Sequence, residues 1–285
     1  MNIEIQAKVM LQNMLDGRAS FINFEQAVLL TRDWIKRFPC RYDLVIGVPR
    51  TGLTIAGIIS DELAIPLSTP GTLPEIWKPS NLPARDIQRI LLVEDCTARL
   101  SHLFSAKQKV REAFPEAEIH LGSLFSNGSQ GRLDTYGSEL RDSCIFEWEL
   151  MNIEFSRNVA SDLDGVICQD WPKLVTEDDR LDWMRTVKPY LIPVYGLSAI
   201  ITSRPEKYRD ITTQWLNEHG VRFCRLVMDQ TIEGQYNDYL SWKVYAINRI
   251  KPGLFLESND ETAKAIHYKT GVTVICTDTM KMYSG

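Results

Sequence analysis

What this chain of 285 residues lacks already narrows its class. No apolar run approaches the roughly 20 residues that a membrane-spanning helix needs. The opening MNIEIQAKVMLQNMLDG carries an early Glu and no unbroken apolar core, so no secretory signal is expected either. The six cysteines, at 40, 96, 144, 168, 224 and 276, form no CxxC and no Cys/His cluster. That argues against a zinc site or a disulfide framework and makes a reducing cytoplasm the expected setting. Basic excess is missing too: 32 Lys and Arg against 37 Asp and Glu leave a net charge of −5. No surface that tracks nucleic acid is expected, although local basic sites for small phosphates stay open. Internal repeats and low-complexity tracts are absent. What is present, 44% hydrophobic and 24% charged residues, is the composition of a folded chain with room for one large domain or two ordinary ones.

Along the chain, short apolar runs alternate with amphipathic stretches. Residues 1–38 read as two helices, the second being FEQAVLLTRDWIKRF. DLVIGV (43–48), RILLVED (89–95) and EIHLGSLF (118–125) read as buried strands, the first two followed by a turn and a helix. A polar stretch, SNGSQGRLDTYGSELRDS (126–143), follows as connecting chain. The pattern then restarts with NVASDL, LSAIIT, CRLVMD, GLFLES and a final strand VTVICT, interleaved with the helices EKYRDITTQWLNEHG and YLSWKVYAINRI. This predicts two tandem α/β domains, each a doubly wound, mostly parallel, Rossmann-like sheet, spanning 1–154 and 155–285.

The second half carries four separated signals. Asp162 and Asp164 end the first strand, with Gly165 allowing a tight turn; Thr202 ends the second; Lys243 lies on a later helix; Glu257 and Asp260, with Glu261 beside them, follow LFL. Ligands collect at the carboxyl ends of strands in open α/β sheets, so these groups should converge. A carboxylate can attack phosphorus and split a hard hydrolysis into two easier steps. A second acid can protonate the leaving oxygen and then activate water, while a hydroxyl and an ammonium hold the transferring oxygens. The set resembles the haloacid dehalogenase superfamily over roughly 156–285. The resemblance implies Asp162 as nucleophile, Asp164 as general acid and base, Thr202 and Lys243 as phosphate-binding and charge-balancing groups, and Mg²⁺ held by Asp162, Asp164, Glu257 and Asp260, with Glu261 the alternative to Asp260. The short interval between Gly165 and Thr202 leaves little room for a cap, and an uncovered site suits a large substrate.

In the first half, DLVIGVPRTGL turns through Arg50, Thr51 and Gly52, where successive amides can nest an anion. RILLVEDCTARLSH puts Glu94 and Asp95 at a strand tip, able to accept the two hydroxyls of a ribose, ahead of a helix whose first amides can take a phosphate. The two motifs resemble those of type I phosphoribosyltransferases over roughly 20–150, which implies phosphoribosyl pyrophosphate (PRPP) as donor and Mg²⁺ as its companion. CTARLSH lacks the glycines of that family's phosphate turn, so Thr97, Arg99 and Ser101 stand in its place, and Lys78 and Arg85 are the basic residues where the family has a mobile loop.

Together the halves suggest a bifunctional enzyme: 5-phosphoribose is transferred to an acceptor with loss of pyrophosphate, then the 5-phosphate is hydrolysed to leave ribofuranose. A sugar hydroxyl of a bacterial surface glycan is the favoured acceptor. The alternatives are a nucleobase transferase with nucleotidase activity, and a PRPP-sensing domain controlling a phosphatase. A small-molecule or glycan acceptor is the expected partner, and a homo-oligomer is compatible with the sequence.

Overall fold

In a computed structural model the described residues are 20–72, 87–97, 100–128, 130–139, 144–152, 158–170, 172, 176–230 and 238–285. They divide into two compact units, one of residues 22–142 and one of 143–285 joined by the strand residues Ser20 and Phe21.

The first unit holds a five-stranded, all-parallel sheet in the order β3-β2-β4-β5-β6, formed by Leu67–Ser68, Leu44–Gly47, Arg89–Cys96, Glu118–Ser126 and Thr135–Glu139 respectively. Every residue of β2 is buried, as expected of a strand covered on both faces. Helices α1 (Phe24–Ile35) and α2 (Gly52–Leu63) cover one face, and α3 (Leu100–Ala113) covers the other through Leu103, Ala106 and Val110. Asn23 and Gln26 close a reciprocal capping box at the start of α1. Trp34 of α1 is fully buried, donates Nε1–H to Thr135 Oγ1 at 2.8 Å and lies where a Cβ on Gly122 would reach it at 3.0 Å. The polar stretch expected to be connecting chain thus contains a strand, β6. TYGSE has no apolar run to announce it; its place on the sheet edge depends on Gly137, whose Cβ would meet Leu124 O at 2.5 Å.

In the second unit six strands run β10-β9-β8-β11-β12-β13: Leu226–Asp229, Ala199–Pro205, Val159–Ser161, Leu254–Glu257, Thr273–Cys276 and Lys281–Tyr283. All pair in parallel except the edge strand β13, which turns back antiparallel on β12; the sequence reading ended one strand short of it. Helices α6 (Tyr239–Ile250) and α7 (Asp260–Thr270) cover one face with Trp242, Ala246, Ile247, Ala263 and Ile266. On the other, Trp215 and Leu216 of α5 (Arg209–Glu218) pack with Leu163, Val166 and Ile167. One further helix, α4 (Glu177–Thr186), precedes β9. Strand β7 (Cys144–Phe146) pairs with β1 (Ser20–Ile22), and Ile145 and Leu150 join this unit's core, so residues 144–152 pack ahead of the expected boundary at 154/155.

The α/β architecture built on parallel sheets is therefore present in both units. Their strand orders share a feature that places ligands. In each, the chain reverses its direction of winding beside a strand that ends in acidic residues: between β2 and β4 in the first unit, between β8 and β11 in the second. Loops diverge at such a point and leave a crevice beyond the carboxyl ends of the strands.

Candidate functional site

At the switch point of the first unit, β2 ends at Gly47 and the chain passes through Arg50 and Thr51 into α2. Two glycines let this turn sit against β4. A Cβ on Gly47 would meet Leu53 Cα at 2.7 Å, and one on Gly52 would meet Val93 O at 2.6 Å and Glu94 Cα at 3.2 Å. Glu94 and Asp95 are both buried at the tip of β4. Among the described residues neither is paired with a lysine or arginine. Burial, reinforced by its neighbour Asp95, pushes the Glu94 carboxyl up to about 9. Burial also raises Asp95, against a hydrogen bond from the Thr51 side chain. Thr51 is free to make that bond because it does not cap α2 with its side chain. Thr97 is buried and tied to Asn127: its hydroxyl lies 2.5 Å from Asn127 Oδ1 and accepts from Asn127 N at 2.9 Å. Arg50 and Ser101 are exposed. Arg99, Lys78 and Arg85 lie outside the described residues.

The second unit's site is denser. Lys243 Nζ, on α6, is 2.5 Å from Asp162 Oδ2 at the end of β8 and 2.7 Å from Glu257 Oε2 at the end of β11. All three residues are at most 5% exposed. Burial, opposed by Lys243, lifts the Asp162 carboxyl to about 7. Burial also works against the charge of Lys243, but the two carboxylates outweigh it and raise its pKa. Two acids thus share one buried ammonium. Asp162 Oδ1 accepts the amide of Leu163 at 2.8 Å. Gly165 turns the chain at φ +81°, where a Cβ would lie 2.3 Å from Ser258 Oγ. Asp164 points to a different partner: both its oxygens accept from Arg204, with Nε at 3.0 and 3.1 Å and a second nitrogen at 2.5 Å. Thr202 Oγ1 is 3.5 Å from the same carboxylate.

Five residues predicted from the sequence, Asp162, Asp164, Thr202, Lys243 and Glu257, are therefore brought together. Asp260 is not. It opens α7, and its oxygens accept from Thr279 (2.7 Å), Tyr283 (2.8 Å) and Lys281 (3.3 Å). Those partners, Thr279 and Tyr283 foremost, hold its carboxyl down at about 2. Glu261, the alternative, is exposed. Arg204, only 2% exposed and lying over the Trp183 ring at 5.2 Å, was missed by sequence reasoning, although it stands two residues past Thr202 in the run TSRP.

The hard-oxygen donors here are of the type Mg²⁺ takes. Among the described residues, however, no three His, Cys, Asp or Glu side chains are placed to hold a metal ion. Lys243 stands between Asp162 and Glu257, and Arg204 covers Asp164, so the expected metal set is not preformed as a cage. No described helix is long and apolar enough to cross a membrane.

The molecule is thus an α/β protein with an acidic cluster at the switch point of each parallel sheet. No family model matches the sequence, and no curated protein matches it. Among solved structures, it is similar over 46% of its length to the xanthine-guanine-hypoxanthine phosphoribosyltransferase of Helicobacter pylori (16% identity, 92% of that chain, TM-score 0.35). It is similar over the same share to the purine phosphoribosyltransferase of Pyrococcus horikoshii (22% identity, 93% of that chain, TM-score 0.37). The orotate phosphoribosyltransferase of Mycobacterium tuberculosis, in a structure with PRPP, matches over 41% of this chain and 75% of its own (16% identity, TM-score 0.31). Identities this low do not extend any of those proteins' activities to this chain.

Proposed function

We propose that the chain is a bifunctional enzyme whose first unit transfers 5-phosphoribose from PRPP to an acceptor and whose second unit then hydrolyses the 5-phosphate, as a phosphatase of the haloacid dehalogenase type. The observation that carries the reading is the Asp162–Lys243–Glu257 lock at 2.5 and 2.7 Å, with Asp164 and Thr202 beside it. Such a site offers a buried carboxylate, an ammonium to meet a phosphate oxygen, and a second acid. The Asp162 carboxylate attacks phosphorus and the ester P–O bond breaks; the departing oxygen takes its proton from Asp164. Water then attacks the acyl phosphate, returns a proton to Asp164 and releases phosphate. Arg204 must let go of one Asp164 oxygen for that proton to sit there. Since the nucleophile must be ionised, cleavage should rise with pH through about 7, to which burial lifts the Asp162 carboxyl.

In the first unit the buried Glu94 and Asp95 suit a ribose diol, with the turn at Arg50, Thr51 and Gly52 receiving pyrophosphate and Thr97, Arg99 and Ser101 the 5-phosphate. Mg²⁺ would supply charge neutralisation for the phosphates of both substrates. A sugar hydroxyl of a surface glycan is the acceptor we favour: a transferase that feeds a phosphatase leaves a ribosyl group in place on a glycan, whereas on a nucleobase it would undo its own nucleotide.

The test is incubation with PRPP, Mg²⁺ and panels of glycan and base acceptors, following pyrophosphate and product mass. The Asp162→Asn variant should accumulate a phosphoribosylated oligosaccharide that the unaltered chain converts to the ribosylated form. A nucleotide accumulating instead would replace the glycan with a base. Pyrophosphate release from no acceptor, with phosphatase rates that respond to PRPP, would make the first unit a sensor.

A further inference from the structure

The cysteines form no cluster with histidine in the sequence, yet the fold of the first unit builds one. His120 Nδ1 lies 3.0 Å from Tyr42 Oη and 3.9 Å from Cys40 Sγ, while its Nε2 is 2.9 Å from Glu118 Oε1. Glu118 Oε2 in turn accepts from Arg89 Nε at 3.2 Å. His120 pairs in register with Leu91, three and four residues short of Glu94 and Asp95, so the constellation is set off from the acidic site by roughly 10–13 Å of strand.

The direction of each bond follows from charge. His120 and then Arg89 hold the Glu118 carboxyl below its ordinary range, so it stays ionised and accepts the Nε2 proton. With Nε2 turned to Glu118, Nδ1 is the nitrogen that faces Tyr42 and Cys40, and in the neutral ring it is the one that accepts. Tyr42 is buried, and burial followed by the neighbouring Cys40 pushes its phenol up, so it keeps its proton and donates to Nδ1. Asp134, the other acid acting on Tyr42, works the same way. A base oriented by a carboxylate and held by a hydroxyl, beside a thiol, makes the pattern of an activated nucleophile. Cys40 is half-buried, so a small molecule can reach it.

We propose that Cys40 is a modification site: a thiol activated by His120, itself held by Tyr42 and Glu118, that exchanges with low-molecular-weight disulfides. The Cys40 sulfur attacks one sulfur of the disulfide, whose S–S bond breaks. The Cys40 proton passes to His120 Nδ1, 3.9 Å from its sulfur, and the departing thiolate takes it back from there. A mixed disulfide and one free thiol result, with no net change in oxidation state.

The test uses the full chain with glutathione disulfide at pH 7, following each cysteine by mass spectrometry. Cys40 should be modified about tenfold faster than the exposed Cys224, although Cys224 is more accessible. His120→Gln should slow Cys40 by a similar factor and leave Cys224 unchanged. Glu118→Gln changes an exposed side chain and should slow Cys40 in the same direction without disturbing the core. Faster modification of Cys224, or a Cys40 rate indifferent to both substitutions, would overturn the proposal.

Discussion

Replacing Lys243 by methionine tests the charge arithmetic of the second site directly. The side chain is buried, and its ammonium is the shared partner of Asp162 and Glu257 at 2.5 and 2.7 Å. Methionine fills much of the same volume, so the loss is chiefly electrostatic. Removing one partner of a buried ion pair typically costs about 3–5 kcal/mol, because the remaining charge has nowhere to go. Here two carboxylates remain, and protonation is their way out. The sign follows. Asp162 already titrates near 7 in the folded chain against an ordinary 3.8, so the folded state binds more protons than the unfolded one across that window. Stability therefore falls as pH rises from about 4 to 7, by at most about 1.4 kcal/mol per pH unit for one group. Without Lys243 the window extends upward and a second acid joins it. Lys243→Met should thus be close to neutral at pH 5 and destabilising by about 3–5 kcal/mol at pH 8. Adding Glu257→Gln should recover part of the loss at pH 8. Native-state hydrogen exchange in β8 and β11 reads the effect in this unit alone. A loss of the same size at both pH values would refute the reasoning, since it would mean that packing, not charge, had been removed.

Other consequences concern both units. Gly52→Ala should destabilise the first unit by about 1–3 kcal/mol and disturb Glu94, because the new methyl would meet Val93 O at 2.6 Å; Gly57→Ala on the same helix, with nothing within 4 Å, should stabilise by about 0.5–1 kcal/mol, and urea midpoints distinguish the two. Glu94→Gln should remove a carboxyl that titrates near 9, so the fall in the first unit's stability between pH 5 and 9 should flatten in denaturation curves, while phosphoribosyl transfer is lost. Asp260→Asn should leave phosphate-ester cleavage within about threefold, whereas Glu257→Gln should reduce it by at least about a hundredfold, measured with a simple phosphate monoester.

Much of this site could be read from the sequence because strand tips carry it. DLD follows a buried run, Thr202 ends another, and LFLE ends a third; the period and burial of those runs fix which end of the sheet they share. Arg204 could not be read in the same way. Its partner, Asp164, lies 40 residues away, and only the packing of β9 beside β8 brings the two together. The expected metal role of Asp260 rested on its nearness to Glu257 in sequence. Between them, however, the chain leaves the strand at Ser258 and enters a helix capped by Asn259, which directs Asp260 toward β13. Strand β6 was hidden because TYGSE pairs through backbone and one close-packed glycine rather than through apolar side chains. The Cys40–His120 contact, 80 residues apart, was likewise invisible to spacing.

The two acidic sites differ in how their charge is balanced, and the difference bears on what each can bind. At Asp162 and Asp164 the fold supplies its own cations, Lys243 and Arg204, both buried before any ligand arrives. Their hydrogen bonds are already made to carboxylates, so on the proposed function an arriving phosphate has to take over donors that Asp162, Glu257 and Asp164 hold. Glu94 and Asp95 have no such cation among the described residues, and burial keeps Glu94 protonated near neutral pH. A protonated acid beside an accepting one can both give and take a hydrogen bond, which matches a neutral pair of hydroxyls and repels nothing. An anion placed directly on those carboxyls would instead meet whatever negative charge remains there. On the function proposed above, the phosphates of the donor would go to the flanking turns, at Arg50 to Gly52 on one side and at the start of α3 on the other, leaving the acids to the sugar.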